Sequence, residues 1–172
     1  WLQVKVNGRR TYFEWINAGH CVCQTATGAM AMVQEGLLAD LYFGFDQDRL
    51  LVRLDAQSGP FRERILEAHA LRVVFFQPEG FEIRVTDPGQ KRPRARIYLD
   101  ETPVARSRVD VAADLVFELA VPWRTLGVAT DDPVQFYVEL LENGDSIQRV
   151  PHEGAIETSV PSPDYELVMW QV

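Results

Sequence analysis

Cysteine is nearly absent: Cys21 and Cys23 are the only two in 172 residues. Two apart on an extended segment, they could pair only through strained geometry, so free thiols are expected. That usage suits a reducing compartment and a cytoplasmic location. Long hydrophobic runs are missing too, as is a basic segment leading into an apolar one, so neither a membrane span nor a secretory leader is expected. Positive charge is scarce, with 17 Lys and Arg against 25 Asp and Glu and a net charge of −8. A surface for nucleic-acid phosphates or anionic lipid needs clustered cations, so both partners are disfavoured. No Gly-x-Gly-x-x-Gly follows a strand, and no phosphate loop or Gly-x-Ser-x-Gly elbow occurs. No local motif announces an enzyme.

Apolar residues make up 47% of the chain, enough for a core in a domain spanning 1–172. The chain opens at Trp1 rather than Met, inside what reads as a strand. A piece of a longer polypeptide is therefore expected. Period-two alternation dominates. Leu41, Phe43 and Phe45 oppose Tyr42, Gly44 and Asp46, and Leu50, Val52 and Leu54 repeat the pattern after a short polar turn. The same period runs through Leu71–Phe75, Phe81–Val85, Ala95–Leu99, Leu115–Val121 and Val134–Leu140. Asn7-Gly8, between Leu2–Val6 and Thr11–Trp15, and Asn143-Gly144, between Val134–Leu141 and Ser146–Val150, read as hairpin turns, and Pro88-Gly89 as a third. A last strand is expected over Glu166–Val172. Helix is confined to a turn or two at Pro60–Glu67 and Pro122–Gly127, each opening on proline. The expectation is an all-β fold: an antiparallel β-sandwich, jelly-roll or immunoglobulin-like, with one or two short helical turns.

Catalysis by paired carboxylates needs two acids roughly 5 to 9.5 Å apart across a glycosidic bond, a distance no sequence displays. Asp46, Asp48 and Asp55 are the best placed, but Asp is also the ordinary residue of turns and strand ends. A calcium loop does not follow, since Leu50 stands where a third oxygen donor would fall. His20-Cys21-Val22-Cys23 lacks the second ligand pair of a structural zinc site, because His69 and His152 stand alone. No metal is expected. The aromatic residues say more. Tyr42, Tyr98 and Tyr137 have the parity opposite to their core-facing neighbours, and Arg53, Arg72, Arg84, Arg94 and Arg96 share it. A flat aromatic on an open sheet face can stack on a sugar ring while arginines bind its hydroxyls. Cross-strand pairing, worth about 0.2–1 kcal/mol per pair, explains the same pattern without a ligand. Trp15, Trp123 and Trp170 read as core residues.

Several segments together are familiar: Asn7–Gly19, Gly28-Ala-Met30, Leu41-Tyr-Phe-Gly-Phe-Asp46 with Leu51–Asp55, Glu118–Trp123, and Met169–Val172. In this order they resemble the C-terminal β-sandwich region appended to family fifty-seven glycoside hydrolases, the α-amylase and α-glucan-processing group. More broadly they are similar to DOMON-like and family-nine carbohydrate-binding-module sandwiches. The resemblance implies a non-catalytic accessory module, with a parent catalytic domain as partner in cis and an α-glucan oligosaccharide as ligand. The ligand-binding candidates are then Tyr42, Tyr98, Tyr137, Arg53 and Arg96, with no catalytic residue carried over. Ala31 stands where the resemblance leads one to expect His after Met30. DOMON-like relatives also hold haem through Met and His. Met30, Met32 and His20 could be cited for that, but without a Cys-x-x-Cys-His attachment no cofactor is expected. A structural domain that docks on and stabilises its parent is the alternative, motivated by outward Val74, Phe76 and Leu141. An independent hydrolase would need a deep cleft with two close acids.

Overall fold

A computed structural model describes residues 1–23 and 36–165. The Gly28–Met30 segment with Ala31 and Met32, and the expected strand Glu166–Val172 with Trp170, lie outside the described residues. No helix among the described residues is long and apolar enough to cross a membrane.

The molecule is an antiparallel β-sandwich. One sheet holds, in spatial order, β1 (Gly19–Val22), β2 (Leu38–Phe45), β3 (Arg49–Ala56), β9 (Phe117–Pro122) and β8 (Asp110–Ala113). The other runs β11 (Asp145–Val150), β10 (Pro133–Glu142), β4 (His69–Gln77), β5 (Phe81–Thr86), β6 (Arg94–Leu99) and β7 (Thr102–Pro103), with β12 (Ile156–Ser159) also pairing β10. The two helices are single turns, α1 (Phe61–Arg64) and α2 (Trp123–Leu126), capped by Pro60 and Pro122 in extended conformation. Proline therefore stands one residue earlier than expected, at the cap rather than inside the turn. Gly127 closes α2 at φ 67°, the left-handed end that ordinarily needs glycine.

The core lies between the sheets. Leu41, Leu50, Val52, Leu54, Phe117 and Leu119 meet Leu71, Val73, Phe75, Ile83, Ile97, Phe136 and Val138. Phe136 is fully buried and touches Phe75 on its own sheet and Phe43 across the gap, with ring centroids 5.9 and 6.4 Å away. Trp15 and Trp123 are both buried. The open face of the second sheet keeps the expected alternation. In the first sheet, by contrast, β3 and β9 are buried on both faces, because the N-terminal segment lies over their outer side. Leu2, Val4 and Trp15 pack there on Leu51 and Ala120.

That packing corrects the N-terminal hairpin. Leu2–Val6 and Thr11–Trp15 are not strands; the chain runs irregularly to a 3₁₀ turn at Phe13–Trp15. Of the Asn7-Gly8 pair only Gly8 takes a positive φ, 76°, so no type I′ turn forms. The backbone N–H groups of both residues donate instead to the Glu118 carboxylate on β9, at 2.8 and 2.9 Å. A Cβ at Gly8 would stand 2.6 Å from the Asp114 backbone nitrogen. Asn143-Gly144 does make the turn, with φ of 50° and 89°, and joins β10 to β11. Leu115 falls outside β9 and is exposed.

Candidate functional site

The five candidate residues divide between opposite outer faces of the sandwich. Tyr42 and Arg53 stand opposite each other on β2 and β3 of the first sheet. Tyr98 and Arg96 lie on β6, and Tyr137 on β10, of the second. Parity within each strand placed all of them outward, but strand membership separates them into two groups.

The first group is locked into the fold. Arg53 is buried and forks onto Asp55 at 2.7 and 2.8 Å, and Arg10 reaches the same carboxylate at 3.3 Å. Burial works against the guanidinium charge, yet the Asp55 hydrogen bonds and charge hold the Arg53 pKa above its ordinary value. The Tyr42 ring lies 4.8 Å from the Arg53 guanidinium and stacks on His20, whose Nε2 is 2.7 Å from Asp40. Burial, then the Asp40 and Asp55 charges, push the Tyr42 phenol pKa up. Opposite Arg53, the fully buried Glu118 accepts from Asn7 N, Gly8 N and Trp15 Nε1, the last at 3.1 Å. Asp46 fills the turn role expected of it, accepting from the backbone N–H of Asp48 and Arg49 at 2.9 and 2.8 Å.

His20 points outward, while Cys21 and Cys23 turn toward the core, so the three cannot ligate one ion. Among the described residues no group of three or more His, Cys, Asp or Glu could hold a metal. Both cysteines are free. Burial raises the Cys21 pKa, and burial followed by the charges of Cys21, Asp40 and Asp55 pushes Cys23 up to about 12. Cys23 should therefore resist iodoacetamide at pH 8 in the native protein and react on unfolding. The linkage has a definite sign. Above the ordinary value of 9.0 the unfolded chain sheds the Cys23 proton, whereas the native state keeps it to about 12, so stability is full below pH 9 and falls across that window. A midpoint of urea unfolding that rises from pH 9 to 11 would contradict this.

The second sheet's face is open and polar. One cross-strand row is Arg149, Glu139, Arg72, Arg84 and Arg96, and the next is Tyr137, Val74, Glu82 and Tyr98. Three arginines directly abreast would repel one another. Carboxylates relieve that: Arg72 Nε donates to Glu139 at 3.0 Å, and Arg84 donates to Glu82 at 2.9 Å and Glu101 at 2.5 Å. Those hydrogen bonds hold the Arg84 pKa above its ordinary value. The guanidiniums also cover aromatic rings, Arg84 over Tyr98 at 4.0 Å and Arg149 over Tyr137 at 4.1 Å, with Phe76 5.4 Å from Tyr137. Arg96 is exposed and has no carboxylate partner among the described residues. Tyr98 and Tyr137, three strand steps apart, are separated by about 14 Å at 4.8 Å per step.

Where β6 meets the start of β8, the face deepens into a concavity of about 820 Å³ lined by Arg84, Thr86, Asp87, Arg94, Arg96 and Tyr98, with Val109 and Val111 among its apolar lining. Arg94 is paired to Asp87 at 2.9 Å. The structure thus brings Tyr98 and Arg96 into one site and leaves Tyr137 on the same face beyond it. Glu82, Glu139, Thr86 and Asp87 complete the face, and the first two share the outward parity of Tyr98 and Tyr137, which was the signal that could have found them. No family model matches this chain, and no curated protein matches it.

Proposed function

We propose that this protein is a non-catalytic accessory module of an α-glucan-active glycoside hydrolase, and that the concavity around Tyr98 and Arg96 contacts the glucan. The observation that carries this reading is the match of charge inside the site. Arg84 and Arg94 are answered by Glu82, Glu101 and Asp87, so a ligand meets the half-buried Tyr98 with one ring face already under Arg84, the Arg96 guanidinium, which has no carboxylate partner among the described residues, and many hydrogen-bonding groups, but little net charge. A neutral, polyhydroxylated ligand suits that balance. The family assignment itself rests on the resemblance of the sequence segments.

Calorimetric titration with maltoheptaose should give saturable binding. Tyr98→Ala and Arg96→Ala should each weaken it about tenfold, the effect of losing roughly 1.4 kcal/mol, while Tyr42→Phe leaves it unchanged. Absence of heat at millimolar sugar would remove the sugar-binding reading. The docking alternative would then take its place, favoured by the apolar knob at the N-terminal turn, where Tyr12, Phe13 and Ile16 are 72%, 84% and 54% exposed. Such a knob suits the surface of a parent domain in cis.

A further inference from the structure

One buried side chain of the core face can change its charge. His69, the first residue of β4, has the parity of Leu71 and Val73, and its side chain is 3% exposed. Its imidazole closes the turn that joins α1 to β4. The backbone N–H of His69 donates to the Leu66 carbonyl at 3.0 Å, and the Leu66 N–H donates back to His69 Nδ1 at 2.8 Å. Nδ1 therefore carries the lone pair, and the proton of the neutral ring sits on Nε2. Nε2 is buried without a hydrogen-bond partner among the described residues. Glu142 Oε1, on the cross-strand neighbour in β10, stands 3.4 Å from it on a half-exposed side chain.

These contacts make the two protonation states exclusive. An imidazolium has donors at both nitrogens and no acceptor, so a proton on Nδ1 meets the Leu66 N–H head on. The same proton gives Nε2–H a charge-assisted partner in the Glu142 carboxylate. Among the described residues Glu142 is the only ionisable group within ion-pair reach of the ring. The elements packed nearby hold their charges elsewhere. Asp87 after β5 is paired with Arg94, Arg62 on α1 with Asp114, and Asp55 on β3 with Arg53. Glu63, Arg64 and Glu67 are exposed, as is Asp145 opposite Glu142. We propose that His69 is a pH-operated latch: neutral, it holds the turn shut through Nδ1, and protonated, it releases the Leu66 N–H and binds Glu142. Imidazole is the side chain that ordinarily makes such a change between about pH 5 and 8. The moving part is small. Ile65 N stays tied to Phe61 O at 3.1 Å and Ala68 O to Asn143 N at 3.0 Å, so release is confined to Leu66 and Glu67. Leu66 is 63% exposed, and water can take up its N–H without opening the core. The latch does not rest on the accessory-module reading.

Nuclear magnetic resonance of the ¹⁵N-labelled protein tests it. At about pH 8 the His69 ring, assigned by its loss in His69→Asn, should show an acceptor Nδ1 and a protonated Nε2. On acidification to about pH 5 the Leu66 amide should shift with the same midpoint as the ring. Its protection against exchange should fall about tenfold, the effect of losing roughly 1.4 kcal/mol. His69→Asn puts an amide oxygen where Nδ1 stands and cannot titrate, so its Leu66 amide should stay put over that range. Glu142→Gln alters a half-exposed residue that folding does not need, and it should move the ring's transition to lower pH while keeping the Leu66 contact at the alkaline end. The latch is overturned by a neutral ring protonated on Nδ1, by a ring that takes up no proton on acidification, or by a Leu66 amide that ignores the ring. It is equally overturned by a Leu66 amide that moves as much in His69→Asn, or by a transition that Glu142→Gln leaves in place.

Discussion

Replacing Glu118 with Ala should lower stability by about 3–5 kcal/mol, the usual range for breaking a buried charged network. The size follows from what the carboxylate does. It is fully buried and accepts from two backbone amides and one indole N–H, all belonging to the N-terminal segment. Alanine would strand three donors beneath that segment and leave Arg53 without the carboxylate directly opposite it. At roughly 2–4 °C per kcal/mol for a chain of this size, the melting temperature should fall by about 10 °C. Hydrogen exchange should locate the damage, with the Asn7 and Gly8 amides losing protection before the strands do. Glu118→Gln keeps an oxygen acceptor but turns an amide donor toward other donors, so it should lie between wild type and Ala. A Glu118→Ala protein that melts unchanged would show that the segment is held by Leu2, Val4 and Trp15 alone.

The second large effect is expected in the core. Phe136 sits on β10, is fully buried, and bridges the sheets through Phe43 and Phe75. Phe136→Ala should cost about 3–5 kcal/mol, combining the lost burial of a ring with the cavity left behind. Urea unfolding should show a lower midpoint with an unchanged slope, since the same surface is exposed on unfolding. Phe136→Leu should recover much of the loss. A small effect in the Ala variant would mean that the two sheets close over the gap, and a crystal structure of the variant would show Phe43 moved into it.

Both positions illustrate how far the sequence could be read. Phe136 falls on a clean period of two, so its strand and its inward direction follow from local pattern. The hairpin of residues 37–55 is equally legible, as are the pairings of β5 with β6 and β10 with β11. Glu118 is different: nothing local distinguishes it from the solvated acids of other strands, and its partners lie 103 to 111 residues away. The two Asn-Gly pairs make the same point. At Asn143-Gly144 the flanking strands need a tight turn and the dipeptide supplies it. At Asn7-Gly8 the distant carboxylate captures both amides, and the same dipeptide becomes an anchor.

The candidate site was half legible for a related reason. Alternation fixes which residues leave a sheet outward, and it did so for all five candidates. It carries no record of which sheet a strand joins, so Tyr42 and Arg53 could not be separated from Tyr98, Arg96 and Tyr137. Nor could it show that the N-terminal segment closes over one face.

The Glu118 contact also bears on the order in which the protein can be completed. The segment of residues 2–15 depends on an acceptor that is synthesised 110 residues after Gly8. Until β9 has been made and paired to β3, the N-terminal segment has neither its carboxylate nor Ala120 to rest on. Residues 2–15 are thus among the later parts of this sandwich able to settle, and any variant that delays β9 leaves Leu2, Val4 and Trp15 without cover for longer.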